Sequence, residues 1–310
     1  MVERRHLLDV DHLNRADIES LLDTALSFSE VLKRPIKKVP SLRGKTVVNL
    51  FYEPSTRTRM SFEVAAKRLS ADVLNFSVSA SSVEKGESFK DTALTLEAMG
   101  IDAVVVRHPV AGAPWLLSRW LKACVINAGD GMHAHPTQAL LDLFVLRERL
   151  GELEGKTIAF VGDVLHSRVA RSGMKACSSV GMKVILVAPP TLLPLKLPHV
   201  DIYHDFDRAL PLCDVLYMLR IQKERQEEGR FPSLEEYTRL YQLNMQRLRW
   251  AKSGVVVMHP GPMNRGVEIS SEVAEAPHAA MTAQVSAGVA VRMAVLFSLL
   301  GGAEGSESIA

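Results

Sequence analysis

The chain has 310 residues, of which 47% are hydrophobic and 23% charged, with a formal net charge of +2. That length suits two domains, each able to bury its own core, and the composition is that of a soluble globular protein. The near-neutral charge leaves no bulk field to attract nucleic acid or a membrane surface.

The first residues, MVERRHLLDVDHL, carry charges throughout and no apolar core of a signal sequence, so a cytoplasmic protein is expected. A basic run follows: Lys33, Arg34, Lys37, Lys38, Arg43 and Lys45, broken by Pro35 and Pro40. No aromatics interleave with it, so it reads as a solvated loop rather than a nucleic-acid patch. An apolar strand is predicted over 46–51 (TVVNLF), and a helix whose apolar face is Phe62, Ala65, Ala66 and Leu69. Between them lie Ser55, Thr56, Arg57, Thr58 and Arg59. Hydroxyls, guanidiniums and free amides at a helix start suit a phosphate, although an N-capping Ser/Thr with solvated arginines fits the same letters. Further strands are predicted over 73–76, 103–106 and 124–127, then a helix over 137–150 that is apolar on most faces. The second half repeats the alternation, with strands over 157–161, 183–187, 215–218 and 255–258. The most apolar segment, 285–300, contains Arg292, is short for a membrane span and reads as a buried helix. The tail from 301 to 310 reads as frayed.

Nearly continuous Val/Ile runs alternating with helices imply parallel strands covered on both faces. The fold class is therefore α/β, with two open parallel-sheet lobes and the active site in the cleft between them. The expected boundaries are 1–150 for the first domain, 151–284 for the second, and 285–310 for a C-terminal helix packing back on the first. Neither half carries GxGxxG, so no dinucleotide site is supported. Cys124, Cys177 and Cys213 are far apart in apolar surroundings and read as buried thiols in a reducing compartment.

Polar clusters follow the strands one after another. Arg107, His108 and Pro109 close the third; NAGDGMHAHPTQ follows the fourth; Gly162, Asp163 and Arg168 follow the fifth. The stretch 220–225 (RIQKER) and the sequence His259-Pro260-Gly261-Pro262 follow two later strands. Arginines at the same topological place point to a site for several anionic groups. His133 and His135 have no third ligand at useful spacing, so a neutral imidazole fits His135 better than a metal. No GxSxG elbow or Walker loop is present, which leaves positioning and charge stabilisation as the chemistry.

Taken together, residues 55–59, Lys85-Gly86-Glu87, Arg107-His108-Pro109, His135-Pro136-Thr137-Gln138, Val161-Gly162-Asp163 and 220–225 resemble, in order and spacing, the aspartate/ornithine carbamoyltransferase family. The resemblance runs from about residue 7 to residue 300. Within the family it favours the aspartate branch. The ornithine branch is expected to carry His-Cys-Leu-Pro where this chain has His259-Pro260-Gly261-Pro262. Some aspartate enzymes have leucine where this chain has Gly261.

The resemblance implies carbamoyl transfer from carbamoyl phosphate to the amine of L-aspartate, giving N-carbamoyl-L-aspartate and phosphate in de novo pyrimidine synthesis. It implies carbamoyl-phosphate contacts from Ser55, Thr56, Arg57, Thr58, Ser81, Lys85, Arg107, His135, Gln138, Gly261 and Pro262. Among these, Arg57, Thr58, Lys85, Arg107 and His135 would be catalytic. Aspartate would be held by Lys85, Arg168, Arg220 and Gln222. Glu53 would pair with Arg168 and Arg225 on domain closure. The matching residues for Ser81 and Lys85 reach into a neighbouring subunit, which implies a homotrimer with shared sites. No cofactor, metal, nucleic acid or membrane is implied. A regulatory chain or a dihydroorotase partner is left open, as are a retired, non-catalytic scaffold and a different amino-acid acceptor.

Overall fold

The computed structural model describes residues 5–77, 87–194, 200–221 and 233–301. They divide into two compact units, one running to Phe144 and resuming at Val285, the other covering Val145–Gln284.

The first unit contains α1 (Arg15–Lys33), β1 (Thr46–Phe51), α2 (Thr56–Arg68), β2 (Asp72–Ser77), α3 (Phe89–Ala98), β3 (Ala103–His108), α4 (Ala113–Trp120) and β4 (Cys124–Asp130). It also holds the start of α5 (Pro136–Leu150), which crosses the unit boundary. The strands pair in parallel in the order β2-β1-β3-β4. All of β4 and all but the first residue of β1 are buried, because helices cover both faces of a parallel sheet. Alternation puts Val48 and Leu50 of β1, Val104 and Val106 of β3 and Val125 of β4 on one face. They pack with Ala93 and Leu96 of α3 and Leu117 of α4. Each such side chain contributes about 1.5–3 kcal/mol on burial.

On α2 the expected apolar face is fully buried at Phe62, Ala65 and Ala66, with Leu69 just beyond its end. On α5, residues 139–146 are all buried, as the apolar run predicts. The last helix, α11 (Met281–Leu300), is by length and composition the one described helix able to cross a membrane. Its second half packs in the first unit: Phe297 meets Phe28 edge-on at 5.7 Å, and the Arg292 guanidinium lies 5.0 Å over Phe62.

The second unit holds β5 (Thr157–Val161), α6 (Arg168–Ser179), β6 (Lys183–Val187), β7 (Asp201–Tyr203), α7 (Phe206–Ala209), β8 (Val215–Met218), α8 (Leu234–Tyr241), α9 (Met245–Trp250), β9 (Val256–Met258) and α10 (Ser271–Glu275). Its parallel sheet runs β7-β6-β5-β8-β9. The sequence predicts four strands here and the sheet has five. The extra one, β7, is a three-residue edge strand with two residues exposed, so it carries no apolar run to read.

In each sheet the strand order reverses once. In the first unit the chain steps from β1 outward to β2 and returns on the other side of β1 as β3. In the second it steps from β5 through β6 to β7 and returns beside β5 as β8. Crevices at such switch points, beyond the carboxyl ends of the strands, are where open α/β sheets bind ligands. The three cysteines are buried and unlinked, and burial pushes the Cys124 and Cys213 thiols up to about 12, which makes them inert.

Candidate active site

At the first switch point, β1 ends at Phe51, paired in register with Arg107 of β3. Ser55 takes the N-cap position of α2, yet its side chain makes no capping hydrogen bond. Its hydroxyl is therefore not spent on the helix, in contrast to Ser167 of α6, whose Oγ accepts from the Ala170 amide at 3.1 Å. The first turn of α2 holds no acidic residue. Instead it carries Thr56, Arg57, Thr58 and Arg59, with both arginines exposed and Thr58 buried. Cations at the positive end of a helix are disfavoured by about 0.3–1 kcal/mol each, so the sequence here suits an added anion better than an empty helix start.

Arg107 points into the same region. Its Nη2 donates to Glu53 Oε1 at 2.9 Å, with the two side chains 12% and 21% exposed. His135, 4% exposed, opens α5, and its carbonyl accepts from the amides of Gln138 and Ala139. Gln138 Nε2 donates to Asp142 Oδ1 at 3.0 Å. A carboxylate can only accept, so this bond leaves Gln138 presenting its carbonyl oxygen.

His133 Nδ1 faces Asp130 Oδ2 at 3.1 Å. Asp130 also accepts from the amides of Gly112 and Ala134, which fixes the loop before α5. Among the described residues no group of three or more His, Cys, Asp or Glu side chains is placed to hold a metal.

At the second switch point, Gly162 follows β5 with φ +115°, and a Cβ there would sit 2.5 Å from the Tyr237 hydroxyl. Only glycine suits that turn. Asp163, fully buried, accepts from the His166 amide at 3.2 Å and faces His166 Nδ1 at 2.8 Å. That turn delivers Arg168, 6% exposed, as the first residue of α6. Arg220 lies two residues beyond β8, half-buried.

The loop after β9 is held from beneath by a buried pair, His259 and Glu268. His259 Nε2 donates to Glu268 Oε1 at 3.0 Å, while Nδ1 accepts from the Gly261 amide at 2.8 Å. An Nδ1 that accepts from an amide is unprotonated, so the proton sits on Nε2. Glu268 Oε1 also accepts from the Asn264 amide at 2.6 Å, and Asn264 Nδ2 donates to the Ile221 carbonyl at 3.2 Å. The Gly261–Pro262 loop and the end of β8 that carries Arg220 are thus fixed together.

Within the first unit, Glu53, Ser55–Thr58 and Arg107 gather at the switch point. Within the second, Arg168 and Arg220 follow the two strands that flank it. Ser81, Lys85, Gln222 and Arg225 lie outside the described residues. Sequence reasoning did not single out Asp142 or Glu268, and it named His259 only as part of the cluster after the last strand. For Asp142 a signal exists, a lone carboxylate in an apolar helical run four residues after Gln138. For the His259–Glu268 pair none exists, because it depends on how the loop folds back.

Residues 5–148 match the family model described as aspartate/ornithine carbamoyltransferase, carbamoyl-P binding domain. Residues 154–299 match the Asp/Orn binding domain of the same family. The aspartate carbamoyltransferase catalytic subunit of Salinispora tropica is 57% identical over 303 residues, covering 96% of this chain and 98% of the relative. That of Moorella thermoacetica is 54% identical over 304 residues, covering 97% and 99%. The crystal structure of aspartate transcarbamoylase from Trypanosoma cruzi in complex with carbamoyl phosphate and aspartate superposes with a TM-score of 0.89 at 34% identity, covering 96% of this chain and 97% of that one. Matches over both halves, together with arginine-bearing switch points in two parallel sheets, place this chain in the aspartate/ornithine carbamoyltransferase family.

Proposed function

We propose that the chain transfers the carbamoyl group of carbamoyl phosphate to the amine of L-aspartate, yielding N-carbamoyl-L-aspartate and phosphate, the entry to pyrimidine synthesis. The observation that carries this is the start of α2, where an uncommitted Ser55 hydroxyl, Thr56, Arg57 and Thr58 meet Arg107 at a switch point. The relatives named aspartate carbamoyltransferase, and a solved relative holding carbamoyl phosphate and aspartate, supply the substrate pair.

Residues 1–150 take the donor. Ser55, Thr56, Arg57 and Thr58, with the first-turn amides of α2, hold the phosphate. Thr58, Arg107 and His135 donate to the carbamoyl oxygen and stabilise it as it becomes an oxyanion. Gln138 Oε1 and the carbonyls around Gly261 and Pro262 accept from the carbamoyl NH2. Residues 151–284 take the acceptor, with Arg168, Arg220 and Gln222 on its carboxylates. Residues 285–310 return to the first domain. The amine attacks the carbonyl carbon and a C–N bond forms. The C–O bond to phosphate then breaks, and the departing phosphate takes the amine proton. Glu53, with Arg168 and Arg225, serves closure.

Ser81 and Lys85 complete the site of a neighbouring copy in a homotrimer, and the protein works in the cytoplasm. No metal or cofactor takes part. Chains inactivated by Arg57→Ala and by Lys85→Ala, mixed and reassembled, regain part of the activity if sites are shared; mixed trimers with none would overturn that arrangement.

The test of the reaction is carbamoyl transfer with L-aspartate and L-ornithine as parallel acceptors and no added metal. Product with aspartate alone is expected. Product with ornithine would overturn the acceptor assignment to Arg220, and no product with either would favour a non-catalytic scaffold.

A further inference from the structure

Gln138 and Asp142 stand one turn apart on α5, joined by the Gln138 Nε2 to Asp142 Oδ1 bond of 3.0 Å. Asp142 is 5% exposed and sits in a run, residues 139–146, that is otherwise apolar. A lone carboxylate in such a place is costly unless a cation faces it. Arg292 of α11, 4% exposed, is a buried cation within electrostatic reach of Asp142, whose charge favours the protonated guanidinium. Arg292 Nη1 also donates to the Gly288 carbonyl at 3.1 Å, and its guanidinium lies over Phe62 of α2, one turn past Thr58. Burial pushes Arg292 down to about 10; Asp142 opposes the fall and Arg107 adds to it. Gly288 leaves the guanidinium its room, since a Cβ there would stand 2.5 Å from Nη1. One buried cation thus lies against α2 and within electrostatic reach of Asp142 and Arg107.

We infer that Asp142, backed by Arg292, is a positioning residue: it fixes the Gln138 amide so that Oε1 accepts from the NH2 of the donor. The pair thereby selects carbamoyl phosphate over an acyl phosphate that carries a methyl group in that place. The inference rests on the carbamoyl-phosphate reading. If Asp142 were lost, the Gln138 amide could turn either end toward the ligand, and the NH2 of the donor would lose its fixed acceptor.

The test is calorimetric binding of carbamoyl phosphate and of acetyl phosphate to the full-length parent, Asp142→Asn and Asp142→Ala chains. Gln138→Leu is the reference for a lost acceptor. In Asp142→Ala the preference for carbamoyl phosphate is expected to fall about tenfold, the scale of one hydrogen bond, while acetyl phosphate binds within about twofold of the parent. In Asp142→Asn, which keeps the volume but can turn either end toward Gln138, the preference falls part of the way. General loosening would weaken both donors alike. An unchanged preference in the folded Asp142→Asn chain overturns the inference, whether or not Asp142→Ala folds. A parent chain that holds the two donors equally would instead sink the carbamoyl-phosphate reading.

Discussion

Arg107 and Glu53 form an ion pair of 2.9 Å across the carboxyl ends of β3 and β1. The two residues are 54 apart in the chain and meet because parallel pairing sets Phe51 opposite Arg107. The guanidinium assigned to the carbamoyl oxygen is therefore partly neutralised before any ligand arrives. Glu53→Gln keeps an oxygen for Arg107 to bond but removes the competing charge. A partly exposed pair of this kind is worth about 0.2–1 kcal/mol, so the variant should bind inorganic phosphate or carbamoyl phosphate about 1.4- to fivefold more tightly. Calorimetry reads the change. Weaker binding would mean that Glu53 serves to hold Arg107 in place rather than to mask it.

Arg57 carries a second expectation. The start of α2 has two arginines and no carboxylate, so phosphate should stabilise the folded chain strongly. At a hundred times its dissociation constant a ligand adds about 2.7 kcal/mol. In Arg57→Ala the rise in melting temperature with phosphate should largely vanish, and turnover should fall about 100- to 1,000-fold. The ligand-free melting temperature should hold or rise slightly, because Arg57 is exposed and stands at the positive end of α2. A variant that still gains full stabilisation from phosphate would remove Arg57 from the phosphate site.

Much of this was legible in the chain. Segments such as 46–51 and 215–218 stand out because both faces of a parallel strand are covered, so nearly every residue is apolar. Ser55–Thr58 and Arg220 stand out as candidates because strand ends are where polar residues interrupt those runs. β7 does not, since an exposed three-residue edge strand is shaped by pairing with β6 and not by its own pattern. The Glu53–Arg107 pair needed the register of two strands, and His259–Glu268 needed the fold of a loop. Such long-range juxtapositions leave no periodic signal in a single sequence.

The pH dependence of stability follows from two histidines of the first unit. Burial lowers His6 below 6.5, with Arg5 adding to the fall, and burial lowers His108 in the same sense. The Nδ1 of each ring accepts a main-chain N–H, from Val125 at 3.1 Å and from Val110 at 3.0 Å. In this window the unfolded chain binds more protons than the folded one, so stability rises with pH. It is complete above about 6.5 and declines as pH falls from there toward the folded values. Urea denaturation in steps between about pH 7.5 and 5 should show that decline. His108→Gln should flatten it. A steeper decline in the variant would reverse the assignment.

Gly162 should be among the least replaceable residues of the second unit. Its φ of +115° strains any side chain, and a Cβ would meet the Tyr237 hydroxyl at 2.5 Å and the Leu219 carbonyl at 3.3 Å. Tyr237 is 2% exposed and cannot swing into solvent. Backbone strain and overpacking each cost about 1–3 kcal/mol, so Gly162→Ala should lose about 2–5 kcal/mol in urea denaturation. The two contributions can be separated. In a Tyr237→Phe background the hydroxyl contact is gone but the backbone strain stays, so the same substitution should cost less, by about 1 kcal/mol or more. An equal cost in both backgrounds would assign the whole effect to φ. Because this turn leads into Asp163 and Arg168, activity with aspartate should fall further than folding alone explains, through a raised KM for aspartate. A KM that stays at the parent value would show that the turn supports the fold without placing Arg168.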